Sequence, residues 1–263
     1  MALYKESILN KIKDDLAGRN QNWDKIDDHM SAFMAHGESG AGFHNSIFRG
    51  KSLGSAVTAG QYAAISGGTF DDMYIGDYWT IDGVTYRIAA FNYFYNCGDT
   101  ALTQNHVTLV PDARLYTHVM NDTNITTGGY IGSKMYEEGL DAAKTTIKNA
   151  FSGHVVKHRQ YLCNAVTDGE ASAGEWVDSE VELMNEVMVY GSVVTTYGLY
   201  NVGICKSQLP LFTYRHDLIG PRQTCWLRDV ASASSFALVY SSGNAHRNTA
   251  SNEFGVRPAF SIS

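Results

Sequence analysis

A stripe of apolar positions runs through the first 33 residues at spacings that alternate between three and four. One seam position, Arg19, is charged, and the residues between the seam positions are almost all polar. A spacing that averages about 3.5 keeps one side of a helix turned towards a partner helix, as in a coiled coil. The pattern predicts a coiled-coil helix over residues 1–36. Its apolar seam residues are Leu9, Ile12, Leu16, Trp23, Ile26, Met30 and Phe33.

A glycine-rich segment, residues 37–45, follows the stripe and predicts a flexible hinge. A helix tethered through such a hinge has little to pack against except its own copies. We therefore expect a parallel homo-oligomer, most simply a trimer. The alternative is a single amphipathic helix that lies on its own domain.

The pattern changes to mixed strands and helices in residues 46–263. Tyr78–Ile81 and Val84–Ile88 are rich in aromatic and β-branched residues, and Asp82-Gly83 between them predicts a two-residue hairpin turn. Helices are predicted from Lys134 to Phe151 and from a capping box at Ser179 and Glu182 through Met188. Strands are predicted at Cys225–Arg228, Phe236–Tyr240 and Gly255–Ile262. The fold class is therefore α+β, with one mixed sheet closed by its own ends.

Composition narrows the classes of partner. The chain has 263 residues, of which 44% are apolar and 18% charged, enough to bury a substantial core. A formal charge of −7 argues against nucleic-acid binding through phosphate neutralisation. No apolar run is long enough to span a bilayer, and the charged, amphipathic N-terminal segment does not resemble a signal peptide. We expect neither nucleic acid nor membrane insertion.

The four cysteines, Cys97, Cys163, Cys205 and Cys225, are widely separated and form no metal-binding motif. They are expected to be free, mostly buried thiols of a protein made in a reducing compartment. A disulfide such as Cys205–Cys225 is the alternative.

Motifs for catalysis or metal binding are incomplete. Gly50-Lys51-Ser52 lacks the preceding glycine of a phosphate-binding loop, since Asn45 stands at that position. His154 and His158 have no evident third ligand, and no nucleophile elbow occurs. The acidic run from Asp168 to Glu186 is expected to be a solvated face, because it lacks calcium-loop spacing. We predict no catalytic residues, no metal and no cofactor.

Two segments near the end of the chain carry a resemblance: Trp226-Leu227-Arg228-Asp229 and Gly255-Val256-Arg257-Pro258-Ala259-Phe260. This frame resembles the end of C-type-lectin-like domains of bacterial and phage proteins, including the variable proteins of diversity-generating retroelements. Gly76–Gly83 with Tyr86-Arg87-Ile88, and Gln208–Phe212, are similar to earlier parts of such domains. The resemblance spans residues 45–263. Those variable proteins carry long asparagine-rich tracts, whereas this chain is richer in serine and alanine.

Within this frame, Trp226 and Phe260 are expected to be core anchors on neighbouring strands. Arg228 and Arg257 are expected to pair with carboxylates or carbonyls. The polar loop between the two motifs has the side chains of an adaptable binding surface, although a merely solvated loop is equally compatible with its composition. The candidate ligand-binding residues are Tyr197, Tyr200, Ser232, Ser234, Tyr240, Ser242, Asn244, His246, Arg247, Asn248 and Asn252.

The resemblance implies a phage or prophage tail fibre or receptor-binding protein, with a coiled coil that displays several C-type-lectin-like heads. Its partners would be its own copies, other virion proteins and a glycan or protein of the host surface. It would be assembled in the bacterial cytoplasm and reside in the virion tail. The alternatives are a purely architectural virion component and an enzyme, since formylglycine-generating oxidases have a similar fold.

The heptad predicts the outcome of a truncation. We expect the full chain to be a trimer, and a chain lacking residues 1–40 to be a monomer, because the seam supplies the contact between copies. Light scattering coupled to size exclusion measures both masses. A monomer in both cases would show that the stripe packs on its own domain.

Overall fold

The computed structural model of the chain describes residues 40–197, 200–201, 207–220 and 222–263. The seam from Leu9 to Phe33 and Cys205 lie outside these residues. The coiled coil therefore stays a prediction, whereas the alternative Cys205–Cys225 disulfide is not formed, because Cys225 is a free thiol.

The described part of the chain is mostly β-structure with short helices, so the α+β class is confirmed. Its strands are β1 Ser52–Gly54, β2 Tyr78–Ile81, β3 Val84–Phe91, β4 Val107–Pro111, β5 Tyr116–Val119, β6 His158–Thr167, β7 Glu170–Ser179, β8 Val181–Leu183, β9 Cys225–Ser232, β10 Ser235–Val239, β11 Ala245–Thr249, β12 Glu253–Val256 and β13 Pro258–Ile262. Its α-helices are α1 Ala41–Asn45, α2 Ala59–Gly67, α3 Asp141–Ala150, α4 Glu186–Tyr190 and α5 Pro210–Tyr214, with a π-helical turn at Met135–Gly139 and a 3₁₀ turn at His216–Leu218. Among these described helices, none is long and apolar enough to cross a bilayer.

The strands form two main sheets and a separate hairpin, so the expectation of one mixed sheet is wrong. One sheet has six strands in the order β1-β2-β3-β4-β13-β8, and the other has five in the order β11-β10-β9-β12-β5. Strands β6 and β7 pair only with each other among the described strands. The chain passes from the five-stranded to the six-stranded sheet between β12 and β13, and Arg257 is the single residue at that crossing.

The predicted hairpin is confirmed as β2–β3. Asp82 and Gly83 have φ angles of 49° and 81°, the left-handed conformations that a tight turn between twisted strands requires. Trp79 and Tyr86 stand opposite each other across the pair, and both are buried. The turn residues and the composition of both strands favour the same hairpin, so the sequence pattern was sufficient to predict it.

Aromatic side chains join the elements into one core. Tyr86 on β3, Phe151 after α3 and Phe260 on β13 contact one another with ring centroids 5.0 to 5.7 Å apart. Trp226 on β9 is equally buried, and its indole N–H donates to the His118 carbonyl at 2.9 Å. Trp226 and Phe260 are thus core anchors as expected, but they belong to different sheets and not to neighbouring strands.

One helix prediction is confirmed and the other is wrong. The predicted helix Lys134–Phe151 is the π-helical turn followed by α3. The predicted capping box at Ser179 lies instead at the end of β7, and β8 follows it. The Glu182 side chain is buried and accepts a hydrogen bond from the Tyr130 hydroxyl at 2.9 Å, so it does not cap a helix. Helix α4 begins later, with Asn185 as its N-cap.

The end of the predicted hinge belongs to the folded body. Residues 41–45 form α1, in which the His44 side chain is buried and its Nδ1 lies 2.6 Å from the Met73 carbonyl. The Asn45 amide bonds both the backbone N–H and the carbonyl of Phe91. A flexible hinge over residues 41–45 is therefore wrong, and residues 37–39 lie outside the described residues.

Two buried histidines pack on one phenylalanine. The rings of His158 and His106 lie 3.9 and 6.2 Å from that of Phe94. His106 Nε2 accepts from the Phe94 backbone N–H at 3.0 Å. Burial lowers the pKa of His106 to about 4 and that of His158 to about 3, because the low-dielectric core disfavours the imidazolium.

These lowered values predict a loss of stability in mild acid. Unfolded histidine binds a proton near pH 6.5, so below that pH the unfolded state holds more protons and folding weakens as the pH falls towards 4. Each buried imidazole costs about 2 kcal/mol at pH 5 relative to pH 7. Between pH 7 and pH 5 we expect the free energy of unfolding of His158→Phe to fall by about 2 kcal/mol less than that of the wild type. Urea unfolding at both pH values measures it. Equal losses would contradict the assignment.

Candidate functional site

The polar segment between the two C-terminal motifs is a strand meander, not one loop. It contains β10 and β11, paired in antiparallel register from Ser235 opposite Thr249 to Val239 opposite Ala245. From Ser234 to Tyr240 the chain advances about 20 Å along β10. Strand β10 is fully buried and separates the predicted binding residues. They therefore lie in two groups, one at each end of the hairpin.

At the turn of this hairpin lie Tyr240, Ser242 and Asn244, all exposed. The Tyr240 ring is half-exposed and lies 5.8 Å from that of His246 on β11. These four predicted residues are brought together by the structure.

The opposite end holds a second group of the predicted residues. Asn252 Nδ2 donates to Asn248 Oδ1 at 2.6 Å, and the Ser234 backbone N–H donates to Ser232 Oγ at 3.3 Å. Arg247 projects from β11 between the two ends and makes one long contact, 3.4 Å, to the Ala231 carbonyl. These polar groups bond mainly one another, and they border none of the cavities described below.

A cavity of about 580 Å³ opens beside the hairpin turn, and we name it the turn cavity. It lies between the hairpin turn and the segment that follows α5. Its lining residues are His216, Asp217, Gly220, Arg222, Ser241 and Ser242. The two serine hydroxyls make no hydrogen bond to any residue that the structure describes, so they are available to a ligand.

The two walls of the turn cavity are held against each other. A Cβ built on Gly220 would lie 2.3 Å from the Gly243 nitrogen, so only glycine permits this approach. Gly243 also has φ +91°, and its carbonyl accepts from the Tyr190 hydroxyl at 3.0 Å. The turn is therefore fixed to α4 as well as to the opposite wall.

Arg257 supports the other wall from the core. Its guanidinium donates to the carbonyls of Leu218 and Ile219 at 2.9 and 3.1 Å, and to that of Pro111 at 2.7 Å. Burial lowers the pKa of Arg257, as expected for a charge inside the protein. The expectation that Arg257 pairs with carbonyls is confirmed. Arg228 does so too, donating to the Leu183 carbonyl at 3.2 Å.

A narrow crevice lies elsewhere, where β6, β9 and residues 200–201 meet. It has a volume of about 10 Å³, roughly enough for one water molecule. Asp229 at its base accepts the Glu186 backbone N–H at 2.7 Å through Oδ2, whereas its Oδ1 has no partner among the described residues. Burial and then the neighbouring Glu186 raise the pKa of Asp229 well above its usual range.

Two of the predicted aromatic residues belong to this region and not to the turn cavity. Tyr200 lines the crevice, and its ring lies 6.3 Å from that of Tyr161. Tyr197 is 72% exposed, and its carbonyl accepts from Asn201 Nδ2 at 3.0 Å. The structure thus does not join these tyrosines with Tyr240 in one site.

The acidic run is only partly a solvated face. Glu182 and Glu186 are buried, against the expectation for residues 168–186. The Glu186 carboxylate accepts from the backbone N–H groups of Val194 and Thr195 and from the hydroxyls of Thr195 and Thr196. Its role is to fix the chain after α4.

A third cavity, of about 460 Å³, lies at the start of the β6–β7 hairpin. The charged side chains at its rim form ion pairs: Arg159 binds Asp99 and Asp178, and Lys157 also binds Asp178. His158 contributes its buried ring to the lining. All of its charged groups are thus matched internally.

Cysteine and metal chemistry find little support in the described part of the chain. Cys163 and Cys225 are free, buried thiols whose pKa values are raised by burial, so the nucleophilic thiolate is disfavoured. No cluster of three or more histidine, cysteine, aspartate or glutamate side chains within these residues could hold a metal ion.

Sequence reasoning missed one wall of the turn cavity, which contains His216, Gly220 and Arg222. Two signals were present. Gly220-Pro221 is a turn dipeptide, and the chain from residue 206 onwards has six basic against three acidic residues. The local pattern could mark a turn there, but not its contact with Gly243.

No family model, no curated protein and no solved structure matches this chain.

The support by Arg257 predicts a stability loss with a local signature. We expect Arg257→Lys to lower the free energy of unfolding by about 3 kcal/mol, because lysine cannot reach three carbonyls with one planar group. Amides of residues 216–220 should also exchange hydrogen faster than in the wild type. Arg247→Lys, which changes an exposed arginine, should stay within about 0.5 kcal/mol of the wild type. Equal stability of both variants in urea would contradict the role of Arg257.

Proposed function

We propose that residues 46–263 form a C-type-lectin-like head that binds a host-surface ligand non-covalently at the turn cavity, as part of a phage or prophage tail protein. The observation that carries the proposal is the cavity itself: about 580 Å³, open, and lined by hydroxyl, imidazole, carboxylate and guanidinium groups. Binding sites combine a preformed concavity with a few convergent polar groups in this way.

The chemistry of the rim favours a carbohydrate. Tyr240 directly precedes the lining residues Ser241 and Ser242 and has a half-exposed aromatic side chain. The hydroxyls of Ser241 and Ser242 supply both donors and acceptors, which suits a ligand rich in hydroxyl groups. Aromatic faces bind the apolar side of a sugar ring, and hydroxyl partners bind its edges.

The rigidity of the walls also supports a binding role. Gly220 packs on Gly243, and Arg257 and Tyr190 hold the two walls from the core. A preformed site spends less free energy on ordering when a ligand binds.

The phage context rests on the C-terminal frame and on the heptad. The frame of Trp226, Arg228 and Arg257 resembles C-type-lectin-like domains of phage proteins. A coiled coil over residues 1–36 would display several heads together. Linking weak sites in this way raises the overall affinity about 10²- to 10⁴-fold above that of one site.

Binding to cells tests the proposal. We expect fluorescently labelled full chain to bind at least one member of a panel of intact bacterial strains. Tyr240→Ala should weaken that binding about tenfold, because it removes the exposed aromatic side chain next to Ser241 and Ser242 in the turn. Flow cytometry over a protein concentration series gives the apparent affinity.

Asn252→Ala is the matched control, since it removes a polar group at the opposite end of the same hairpin. It should bind like the wild type. Absence of binding to every strain, or equal weakening by Asn252→Ala and Tyr240→Ala, would refute the proposed site.

A further inference from the structure

The turn cavity contains an arginine whose guanidinium has no partner among the residues that the structure describes. Of the nine arginines that the structure describes, four form ion pairs with aspartates (Arg49, Arg87, Arg159 and Arg215) and three donate to backbone carbonyls (Arg228, Arg247 and Arg257). Arg222 has no hydrogen bond or ion pair from its guanidinium to any described residue. It lines the turn cavity, so its donors face a space that a ligand can enter.

The backbone at Arg222 is held in an unusual conformation. Its φ angle is +55°, a left-handed value that arginine rarely adopts. Its backbone N–H donates to the Gly220 carbonyl at 2.6 Å, which closes the turn. Gly220 is itself packed against Gly243. The position of Arg222 is therefore fixed by the same contact that joins the two walls of the cavity.

The acidic residue in the lining does not cancel this charge. Asp217 accepts two hydrogen bonds from Arg215, at 2.7 and 2.5 Å. Hydrogen bonding to Arg215 holds the pKa of Asp217 below its usual range, so it stays ionised and paired. The guanidinium of Arg222 thus leaves the cavity with one unmatched positive charge, in a chain whose net charge is −7.

A second arginine, also without a side-chain partner among the described residues, is attached to the same segment. The backbone N–H of Arg114 donates to the side chain of Gln223, the residue after Arg222, at 2.8 Å. The Arg114 side chain forms no ion pair or hydrogen bond within the described part of the chain. The two arginines that lack acceptors are thereby linked through Gln223.

From these contacts we infer that the turn cavity recognises an anionic group on a polyhydroxylated ligand, with Arg222 as the residue that binds the anion. This inference rests on the proposed function and defines its ligand class. A planar guanidinium pairs with a carboxylate or a phosphate through two parallel hydrogen bonds. Ser241, Ser242 and His216 would bind neighbouring hydroxyls. The anion is the carboxylate of an acidic sugar or the phosphate of a polyol phosphate.

Titration of full-length protein with three polymers tests the inference: polygalacturonate, poly(glycerol phosphate) and neutral galactan. We expect the wild type to bind one of the two anionic polymers at least tenfold more tightly than galactan, and less tightly as salt is raised. Whichever anionic polymer binds identifies the source of the anion. Arg222→Gln should abolish the preference over galactan, and Arg222→Lys should retain part of it.

Arg247→Gln is the charge-matched control, because Arg247 is exposed on β11 and does not line the cavity. It should keep the full preference. Thermal unfolding should be unchanged in Arg222→Gln, since that side chain makes no hydrogen bond or ion pair to any described residue. Equal loss of the preference in Arg247→Gln would overturn the inference, as it would indicate unspecific charge attraction.

The same experiment separates the inference from the proposed function. Full-length protein that binds cells but prefers neither anionic polymer to galactan would refute the anion site and leave the proposed function standing. Failure to bind cells and all three polymers would refute both.

Discussion

The charge of Arg257 has to be accommodated inside the protein at the point where the two sheets meet. Burying a guanidinium is costly unless its donors are satisfied; here Nε and Nη1 donate to three carbonyls from two separate segments, whereas Nη2 has no partner among the described residues. Pro111 ends a strand of the six-stranded sheet, whereas Leu218 and Ile219 follow α5. One side chain thus fixes the distance between a sheet, the crossing strand and a surface segment. The rest of the C-terminal half is arranged around this constraint.

The position of the turn cavity follows from that arrangement. The segment held by Arg257 meets the β10–β11 turn at Gly220 and Gly243, where the absence of side chains permits close approach. The same segment then presents Arg222 at the surface. Core packing and ligand-facing groups are therefore adjacent in sequence, with a buried residue and an exposed one only a few positions apart. A substitution that disturbs the core at this point is transmitted directly to the lining of the cavity.

The sequence pattern was most informative where structure is decided locally. The β2–β3 hairpin was predictable because the turn dipeptide Asp82-Gly83 and its flanking strands agree. The capping-box pattern at Ser179 failed because long-range pairing decided the outcome: Ser179 pairs with His158, and Val181 with Phe260. The residues of the site also differ in whether a local pattern could predict them. Tyr240 and Ser242 were found from composition, whereas Arg222 joins them through a glycine contact that no local pattern encodes.

The placement of β13 has a consequence for the nascent chain. This strand lies between β4 and β8, yet it is synthesised after every other strand of its sheet. Until residues 258–262 leave the ribosome, β4 and β8 have unpaired edges, and the aromatic cluster of Tyr86 and Phe151 lacks Phe260. Open edges and exposed aromatic rings are features that chaperones bind and that promote aggregation. This core therefore closes only once residues 258–262 are free to pair, and the strands made before them need protection from other chains until then.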